Sequence, residues 1–316
     1  MSGKLLINFT LFFAGIFFAG VSEGLAAEKT LVTINQFISH PALDSSEKGI
    51  EKALKDRGLI PDTINIRLDH AQGSIANVVQ IAKHQASLNP AFMIAIATPA
   101  AQANFKAKTD KSTLAFVAVT DPAAAGLTSS ANDVIGVSDQ PPVTELLEVI
   151  AEILPHMRTI GVIFNPGEVN SVNVIKDLEK AAMSRGIKVR KVVVNSSGNV
   201  KLALQKLIPD TDLVYLPQDN LVVSAIDTVV QVSLQAKIPV IANDPALVEK
   251  GLLLALGCDY FKSGVQLGHM IADMMEGKPV NPSIQTPTVK ELRINEKMAS
   301  ELNINIPQEL KTRAQL

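Results

Sequence analysis

A short segment near the start of the chain gathers residue types that could do nucleophilic chemistry. Ser39 and Ser45 carry hydroxyls, and His40 could serve either of them as a base. Asp44 could orient that base. These residues are sequence neighbours, however, and neither serine lies in the G-x-S-x-G turn that presents a nucleophile above a sheet. His40 precedes a proline, which is typical of a structural loop. The sequence therefore predicts a protein that is not an enzyme.

The other histidines and the one cysteine do not suggest a metal or redox centre. The histidines lie far apart, without metal-ligand spacing, at His70, His84, His156 and His269. Cys258 has no second cysteine to pair with, so we expect a small buried thiol rather than a disulfide. The sequence also lacks the glycine-rich loops that bind nucleotide phosphates. We therefore expect no metal and no cofactor.

Polar residues recur at one kind of position, directly after short apolar runs. Six loops share this pattern: Asn35-Gln36, Thr98-Pro99, Thr120-Asp121, Asn165-Pro166-Gly167-Glu168, Gln218-Asp219-Asn220 and Asn243-Asp244. Any one of them could be an ordinary turn or helix cap. In a parallel α/β sheet, however, ligands bind outside the carboxyl ends of the strands. Six such loops together predict a cleft that closes around a small polar molecule.

The elements that position these loops alternate between strands and helices. Apolar, β-rich runs predict strands at 30–36, 64–68, 92–97, 114–119, 134–137, 159–164, 189–194, 213–216 and 240–242. Amphipathic segments lie between them, and those at 45–57 and 175–185 end at Gly58 and Gly186, as helix C-termini do. This alternation is typical of parallel sheets built from crossover units.

The chain nearly repeats itself after about 120–130 residues, a period that calls for a comparison of its two halves. The run 117–122, Val-Ala-Val-Thr-Asp-Pro, matches the run 240–245, Val-Ile-Ala-Asn-Asp-Pro. Glu-Lys-Ala at 51–53 before Gly58 matches Glu-Lys-Ala at 179–181 before Gly186. Two copies are too few for a solenoid. The repeat therefore predicts two lobes of one topology.

Composition and the N-terminal segment limit the partners and the location. The chain has 316 residues, a formal net charge of −2 and 47% hydrophobic residues, which argues against nucleic-acid binding and against disorder. Residues 1–27 combine Lys4, an apolar run over 5–21 and a small-residue site at Gly24-Leu25-Ala26, the pattern of a secretory signal peptide. An uncleaved membrane anchor is the alternative. No cysteine stands near this segment, so we expect a soluble periplasmic protein rather than a lipoprotein.

The ordered motifs resemble the family of ABC-transporter substrate-binding proteins that includes tryptophan-binding components. They are His40-Pro41-Ala42-Leu43-Asp44, Ala95-Ile96-Ala97-Thr98-Pro99-Ala100-Ala101-Gln102, Val119-Thr120-Asp121-Pro122, Gly136-Val137-Ser138-Asp139, Asn165-Pro166-Gly167-Glu168, Pro217 with Asp219-Asn220, and Val248-Glu249-Lys250-Gly251. The resemblance implies an α/β fold of the type I periplasmic-binding-protein class, with two Rossmann-like lobes, parallel sheets and three hinge crossovers. It places the crossovers near 138–142, 257–260 and 285–289. The lobes would be 28–139 plus 259–286 and 140–258 plus 287–316.

The resemblance also implies an amino acid, often aromatic, as the ligand, and each of its groups needs a partner in the cleft. We expect the carboxylate at the helix that starts after Thr98, near Pro99, Ala100 and Ala101, with the Thr120 hydroxyl. For the ammonium group the first choice is Asp219, and the further candidates are Asp121, Glu168 and Asp244. The second-lobe contacts would be completed by Asn165, Asn170, Ser171 and Asn220. Gln36 and Phe37 would border the side-chain pocket.

Two departures from the family pattern bear on the ligand. Gln218 stands where the family commonly has threonine, and Phe37 stands where a branched aliphatic residue is usual.

The expected partners are an inner-membrane permease with its ATPase, contacted by a single copy of the protein. A periplasmic sensor that reports its ligand to a membrane receptor is the alternative. A repressor is disfavoured because a signal-like segment occupies the place of a DNA-binding domain.

Overall fold

The structure is a computed structural model that describes residues 29–127, 133–287 and 289–314. The segment predicted to be a signal peptide, residues 1–27, lies outside the described residues. Within the described ranges, no helix combines the length and the apolar character needed to cross a membrane.

The described chain alternates strands and helices along nearly its whole length. The strands are β1 (Thr30–Gln36), β2 (Ile64–His70), β3 (Phe92–Ile96), β4 (Thr113–Val119), β5 (Val134–Ser138), β6 (Thr159–Phe164), β7 (Lys188–Val193), β8 (Leu213–Leu216), β9 (Val240–Ala242), β10 (Leu254–Cys258), β11 (Ile284–Gln285) and β12 (Lys290–Ile294). The α-helices are α1 (Pro41–Asp56), α2 (Ile75–Ser87), α3 (Thr98–Ala107), α4 (Val143–Ile153), α5 (Val169–Met183), α6 (Val200–Leu207), α7 (Asn220–Ser224), α8 (Ile226–Gln235), α9 (Tyr260–Met275), α10 (Glu296–Glu301) and α11 (Gln308–Arg313). A 3-10 helix spans Pro245–Lys250.

The strands form two six-stranded sheets, one in each lobe. The first sheet has the order β11-β5-β4-β3-β1-β2 and the second the order β12-β10-β9-β8-β6-β7. Apart from the last strand of each sheet, the two orders are the same pattern used twice. The structure therefore confirms the α/β fold of two similar lobes that the internal repeat predicted.

The last strands of the two sheets, β11 and β12, differ in direction relative to their neighbours, because the chain passes from one lobe to the other between them. β11 runs parallel to β5, whereas β12 runs antiparallel to β10. The carboxyl ends of the parallel strands of both sheets face the same cleft. A chain that leaves the first lobe at the end of β11 therefore enters the second lobe from the cleft side and runs in the opposite direction.

The chain crosses between the lobes three times. Helix α4 follows β5 of the first sheet but packs in the second lobe, where Leu146 and Ile150 join the core. Helix α9 follows β10 of the second sheet but packs in the first lobe through Leu267 and Ile271. The third crossing joins β11 to β12. Residues of all three crossings line one cavity at the hinge, so the connections lie side by side.

The nine predicted strands are present, with ends that shift by one or two residues, but three strands were missed. The most important of these is β10, a fully buried strand whose continuous apolar run shows no alternation. β11 has two residues, and β12 is an edge strand rich in charged residues. Helix α1 begins at Pro41, earlier than predicted, since proline suits the first helical position.

Helices α1 and α9 approach each other closely because glycines line their contact. A Cβ atom added at Gly264 would lie 2.1 Å from the Ser46 backbone oxygen, and one added at Gly49 would lie 2.2 Å from the Phe261 backbone oxygen. The Ser46 hydroxyl donates to the Tyr260 backbone oxygen at 3.2 Å. This contact holds the first turns of both helices at the cleft.

Candidate ligand-binding cleft

A cavity lies between the two lobes, and its empty space of ≈ 440 Å³ includes solvent at its open side. Its polar lining consists of His40, Thr120, Asp139, Asn170, Gln218, Asp219, Asn220, Asn243, Asp244 and Tyr260. Its apolar lining consists of Ala42, Leu43, Ala118, Leu216, Pro217, Val223, Ala242 and Leu247. No lysine or arginine belongs to this lining among the residues that the structure describes. The cavity is therefore acidic on its polar side and apolar elsewhere.

Asp139 follows β5 and stands where the chain leaves the first lobe. Its side chain is 5% exposed, and its Oδ2 accepts a hydrogen bond from the Tyr260 hydroxyl at 2.6 Å. Its Oδ1 has no hydrogen-bond partner among the described residues. Burial raises the pKa of this carboxyl group, and the Tyr260 hydrogen bond partly opposes that rise.

Asp244 follows β9 and caps the 3-10 helix that comes after it. Its Oδ1 accepts from the Ala246 N–H at 3.0 Å, while its Oδ2 has no partner within the described ranges. Burial raises the pKa of Asp244 to about 7, and the negative charge of Asp139 contributes to the rise. A buried carboxylate without a counter-charge is costly. The cavity therefore presents two acidic groups that each keep an oxygen available for a donor.

Glu168 and Asp219 are different, because backbone donors already occupy their oxygens. Glu168 Oε1 accepts from the Leu221 N–H at 3.0 Å, and its Oε2 accepts from the Asn220 N–H at 3.0 Å. Asp219 Oδ1 accepts from the Val222 N–H at 3.0 Å, and its Oδ2 accepts from the Asn165 N–H at 2.6 Å. Burial raises the pKa of Asp219, and the neighbouring Glu168 raises it further. Both carboxyl groups cap α7.

One hydrogen bond joins His40 of the first lobe to Asn220 of the second, with 3.1 Å between Nε2 and Oδ1. Asn220 Nδ2 donates to Glu168, so the amide oxygen faces the histidine. His40 Nε2 therefore carries the proton, and Nδ1 is left as an acceptor with no partner in the described part of the chain. Burial lowers the pKa of His40 to about 4, so the ring is neutral at neutral pH.

The loop that carries His40 is held by its own side chains. Gln36 Nε2 donates to Asp44 Oδ1 at 2.6 Å, and the Ser39 hydroxyl donates to Asp44 Oδ2 at 2.8 Å. Phe37 is 1% exposed and belongs to the core of the first lobe. Gln36 and Phe37, which were predicted to border the ligand, are thus beside the cavity lining rather than in it.

The predicted site residues divide into a group that lines the cavity and a group that lies behind it. Those in the lining are Thr120, Asn170, Asp219, Asn220 and Asp244. Thr98, Pro99, Ala100 and Ala101 are buried in the first turn of α3. Asp121 accepts from the Ala124 N–H at 2.9 Å in a turn, Asn165 accepts from the Gly167 N–H at 3.0 Å, and Ser171 is fully buried on α5.

Sequence reasoning missed His40, Asp139 and Tyr260 as lining residues, whereas Gln218 was placed in a cleft loop but not among the ligand contacts. A signal for Asp139 was available, because it follows the apolar strand β5 just as Asp244 follows β9. Tyr260 was hidden by the missed strand β10, which ends two residues before it. His40 was weighed as a catalytic base and interpreted as a structural loop residue, not as a ligand contact.

Two lobes of one topology, three crossings and an acidic cleft define the class of periplasmic binding proteins. The family model of ABC transporter substrate binding proteins matches residues 31–316, and the chain belongs to this family. The family consists of substrate-binding proteins rather than enzymes. The resemblance stated from the sequence motifs is confirmed.

Individual relatives agree with this membership. The chain is 35% identical to a tyrosine-binding protein from Clostridioides difficile (strain R20291) over 271 residues, which cover 84% of this chain and 78% of the relative. A conserved domain protein from Vibrio cholerae is similar with a TM-score of 0.86 and 36% identity, covering 91% of this chain and 99% of that one. The ABC domain in complex with L-Trp from Streptococcus pneumonia is similar with a TM-score of 0.85 and 29% identity, over the same shares of both chains.

Proposed function

We propose that this protein is the periplasmic substrate-binding component of an ABC importer. It captures an aromatic amino acid such as tryptophan or tyrosine and delivers it to an inner-membrane permease with its ATPase. The observation that carries the proposal is the cavity itself, where two buried carboxyl groups with unpartnered oxygens face an apolar wall.

The ammonium group of the ligand is assigned to Asp139 and Asp244. Both side chains are more than nine-tenths buried, and lysine and arginine are absent from the described lining. A ligand cation would supply the charge and the donors that these carboxylates lack. Asp219, the first choice from the sequence, is less suited because it already accepts two backbone N–H groups.

The carboxylate of the ligand is assigned to the N-terminus of α1. No side chain caps this helix, and the first-turn residues Ala42 and Leu43 line the cavity. The first N–H groups of a helix have no intrahelical acceptor and favour an anion. The first turn of α3, which the sequence suggested for this role, does not line the same cavity.

The side chain of the ligand is assigned to the apolar wall. Leu43 comes from the first lobe, while Leu216, Val223 and Leu247 come from the second. A predominantly apolar pocket with a few polar groups is typical of small-molecule sites. The names of two relatives, one tyrosine-binding and one solved with L-Trp, support an aromatic side chain.

Delivery would follow from closure. A ligand that touches both lobes stabilises the closed form by its differential affinity for that form, and a permease can recognise the resulting shape. In this proposal a signal peptide at 1–27 exports a single-copy protein. The lobes that close are 28–139 plus 259–286 and 140–258 plus 287–316.

Thermal unfolding of the refolded chain 28–316 tests the proposal, since refolding removes co-purified ligand. The panel contains the twenty amino acids, small peptides, sugars and purines. Ligand at about 100 times its dissociation constant adds roughly 2.7 kcal/mol of apparent stability. We expect a rise in Tm with aromatic amino acids that Asp244→Asn abolishes and Asp62→Asn, a change at an exposed residue, leaves intact. A rise with sugars or purines alone would refute the assignment.

A further inference from the structure

Gln218 of the second lobe contacts Asp139, the residue at which the chain makes its first crossing between the lobes. Its Nε2 donates to the Asp139 backbone oxygen at 2.7 Å and lies 3.3 Å from Asp139 Oδ2. Both of these atoms are acceptors, so the amide nitrogen must face Asp139. The orientation of the amide is thereby fixed.

The fixed orientation leaves the amide oxygen as the group of Gln218 that does not contact Asp139. Gln218 lines the cavity, and its Oε1 is buried without a hydrogen-bond partner among the described residues. Asp139 Oδ1 and Asp244 Oδ2 are buried in the same lining and are also unpartnered there. His40 Nδ1 and Asn170 Oδ1 are further unpartnered acceptors of the described lining, but Gln218 is the one whose side chain contacts Asp139.

We propose that Gln218 contributes to ligand specificity by adding its amide oxygen to the acceptors that Asp139 and Asp244 offer to a primary ammonium group. An R-NH3+ group has three N–H donors, so it can pair with one oxygen of each of these three residues. A carboxylate or a neutral hydroxyl would leave acceptors unpaired. The cleft is thereby specific for ligands with an unsubstituted α-amine.

A secondary amine is the informative competitor. An Nα-methyl amino acid keeps the positive charge but replaces one donor with a methyl group. One buried acceptor then stays unpaired, which is costly in a site built to hydrogen-bond the missing group. The inference rests on the proposed function, because it assumes that an amino acid occupies the cleft.

The test compares, by calorimetry, the affinities of a primary amine and its Nα-methyl form on the wild-type protein and on variants. The ligands are L-tryptophan and L-tyrosine, each with its Nα-methyl form, and the protein is refolded to remove bound ligand. We expect the wild-type protein to prefer the primary amine by about tenfold or more. Gln218→Met keeps the length of the side chain but removes the amide, and we expect the preference to fall towards unity.

The ratio of the two affinities separates a contact with the ligand from a structural role. Losing the bond from Nε2 to Asp139 weakens closure for both ligands alike and leaves the ratio unchanged. Gln205→Met, at an exposed glutamine on α6 of the second lobe, is the matched control and should keep the wild-type ratio. A wild-type ratio in Gln218→Met would overturn the role of Gln218 alone. Failure of the wild-type protein to bind any amino acid would overturn the proposed function with it.

Discussion

His40 and Asn220 meet across the cleft, with His40 Nε2 3.1 Å from Asn220 Oδ1. The amide of Asn220 is held by Glu168, so the contact extends from the loop before α1 to the capped end of α7. It is formed by a neutral histidine that the closed cleft shields from water. The protonation of one ring therefore bears on the closed form of the protein.

Ligand affinity should fall as the pH is lowered through the range in which His40 titrates. Burial in this structure lowers the pKa of His40 from 6.5 to about 4. We expect separation of the lobes to expose the ring and restore its ordinary pKa, so an open form would bind the extra proton and acid would favour opening. The contribution of His40 is complete above pH 6.5 and is lost as the pH falls towards 4, by up to about tenfold per pH unit. Asp44 is the charged neighbour that opposes the shift.

Calorimetric dissociation constants measured between pH 7.5 and 4.5 give the slope of log Kd against pH. His40→Gln removes the titrating ring and should make this slope shallower, whereas His70→Gln, at an exposed histidine, should leave it unchanged. An unchanged slope in His40→Gln would show that other groups carry the dependence.

Binding of an amino acid near neutral pH should release protons. Burial raises the pKa of Asp244 to about 7 in the protein alone, so part of the population is protonated there. A bound ammonium group favours the charged carboxylate and lowers that pKa. The heat of binding in buffers with different ionisation enthalpies gives the number of protons released. Asp244→Asn should reduce this number, and an identical number in the variant would contradict the assignment.

Asp219→Ala and Asp244→Ala should differ in what they damage. Asp219 caps α7 and fixes the Asn165 backbone, so its loss should lower the stability of the second lobe by about 0.5–2 kcal/mol or more. Asp244 has one oxygen without a partner among the described residues and one on the Ala246 N–H, so its loss should lower ligand affinity by an order of magnitude or more and also remove the cap of the 3-10 helix. Paired measurements of Tm and Kd separate the two effects. A large loss of affinity in Asp219→Ala at unchanged Tm would restore the first choice made from the sequence.

Replacing a glycine of the contact between α1 and α9 with alanine should lower the stability of the protein. In Gly264→Ala the new Cβ would lie 2.1 Å from the Ser46 backbone oxygen, so the helices must separate. Overpacking of this kind typically costs about 1–3 kcal/mol, and denaturant unfolding measures it. Gly198→Ala is the control, because a Cβ there meets no atom within 4 Å. Equal stability of the two variants would contradict the described helix contact.

The sequence predicted more of the fold than of the site. Hydrophobic periodicity and turn residues predicted most strands that border the cleft, because the burial pattern of a strand is visible in its own few residues. β10 was not predicted, because a strand buried on both faces does not alternate apolar and polar residues. The roles of Asp219 and Asp244 could not be separated by residue type, since both are aspartates after apolar strands. Only the positions of the Val222 and Asn165 N–H groups distinguish a cap from an open acceptor.

Three connections running side by side between the lobes also limit how the protein can move. A single linker would let one lobe tumble relative to the other, and the ligand would then have to select one orientation among many. Parallel connections resist twisting and separation and leave bending about one line as the easy motion. Capture of a ligand then costs little orientational entropy, because the hinge has already removed most of the freedom that binding would otherwise have to restrict.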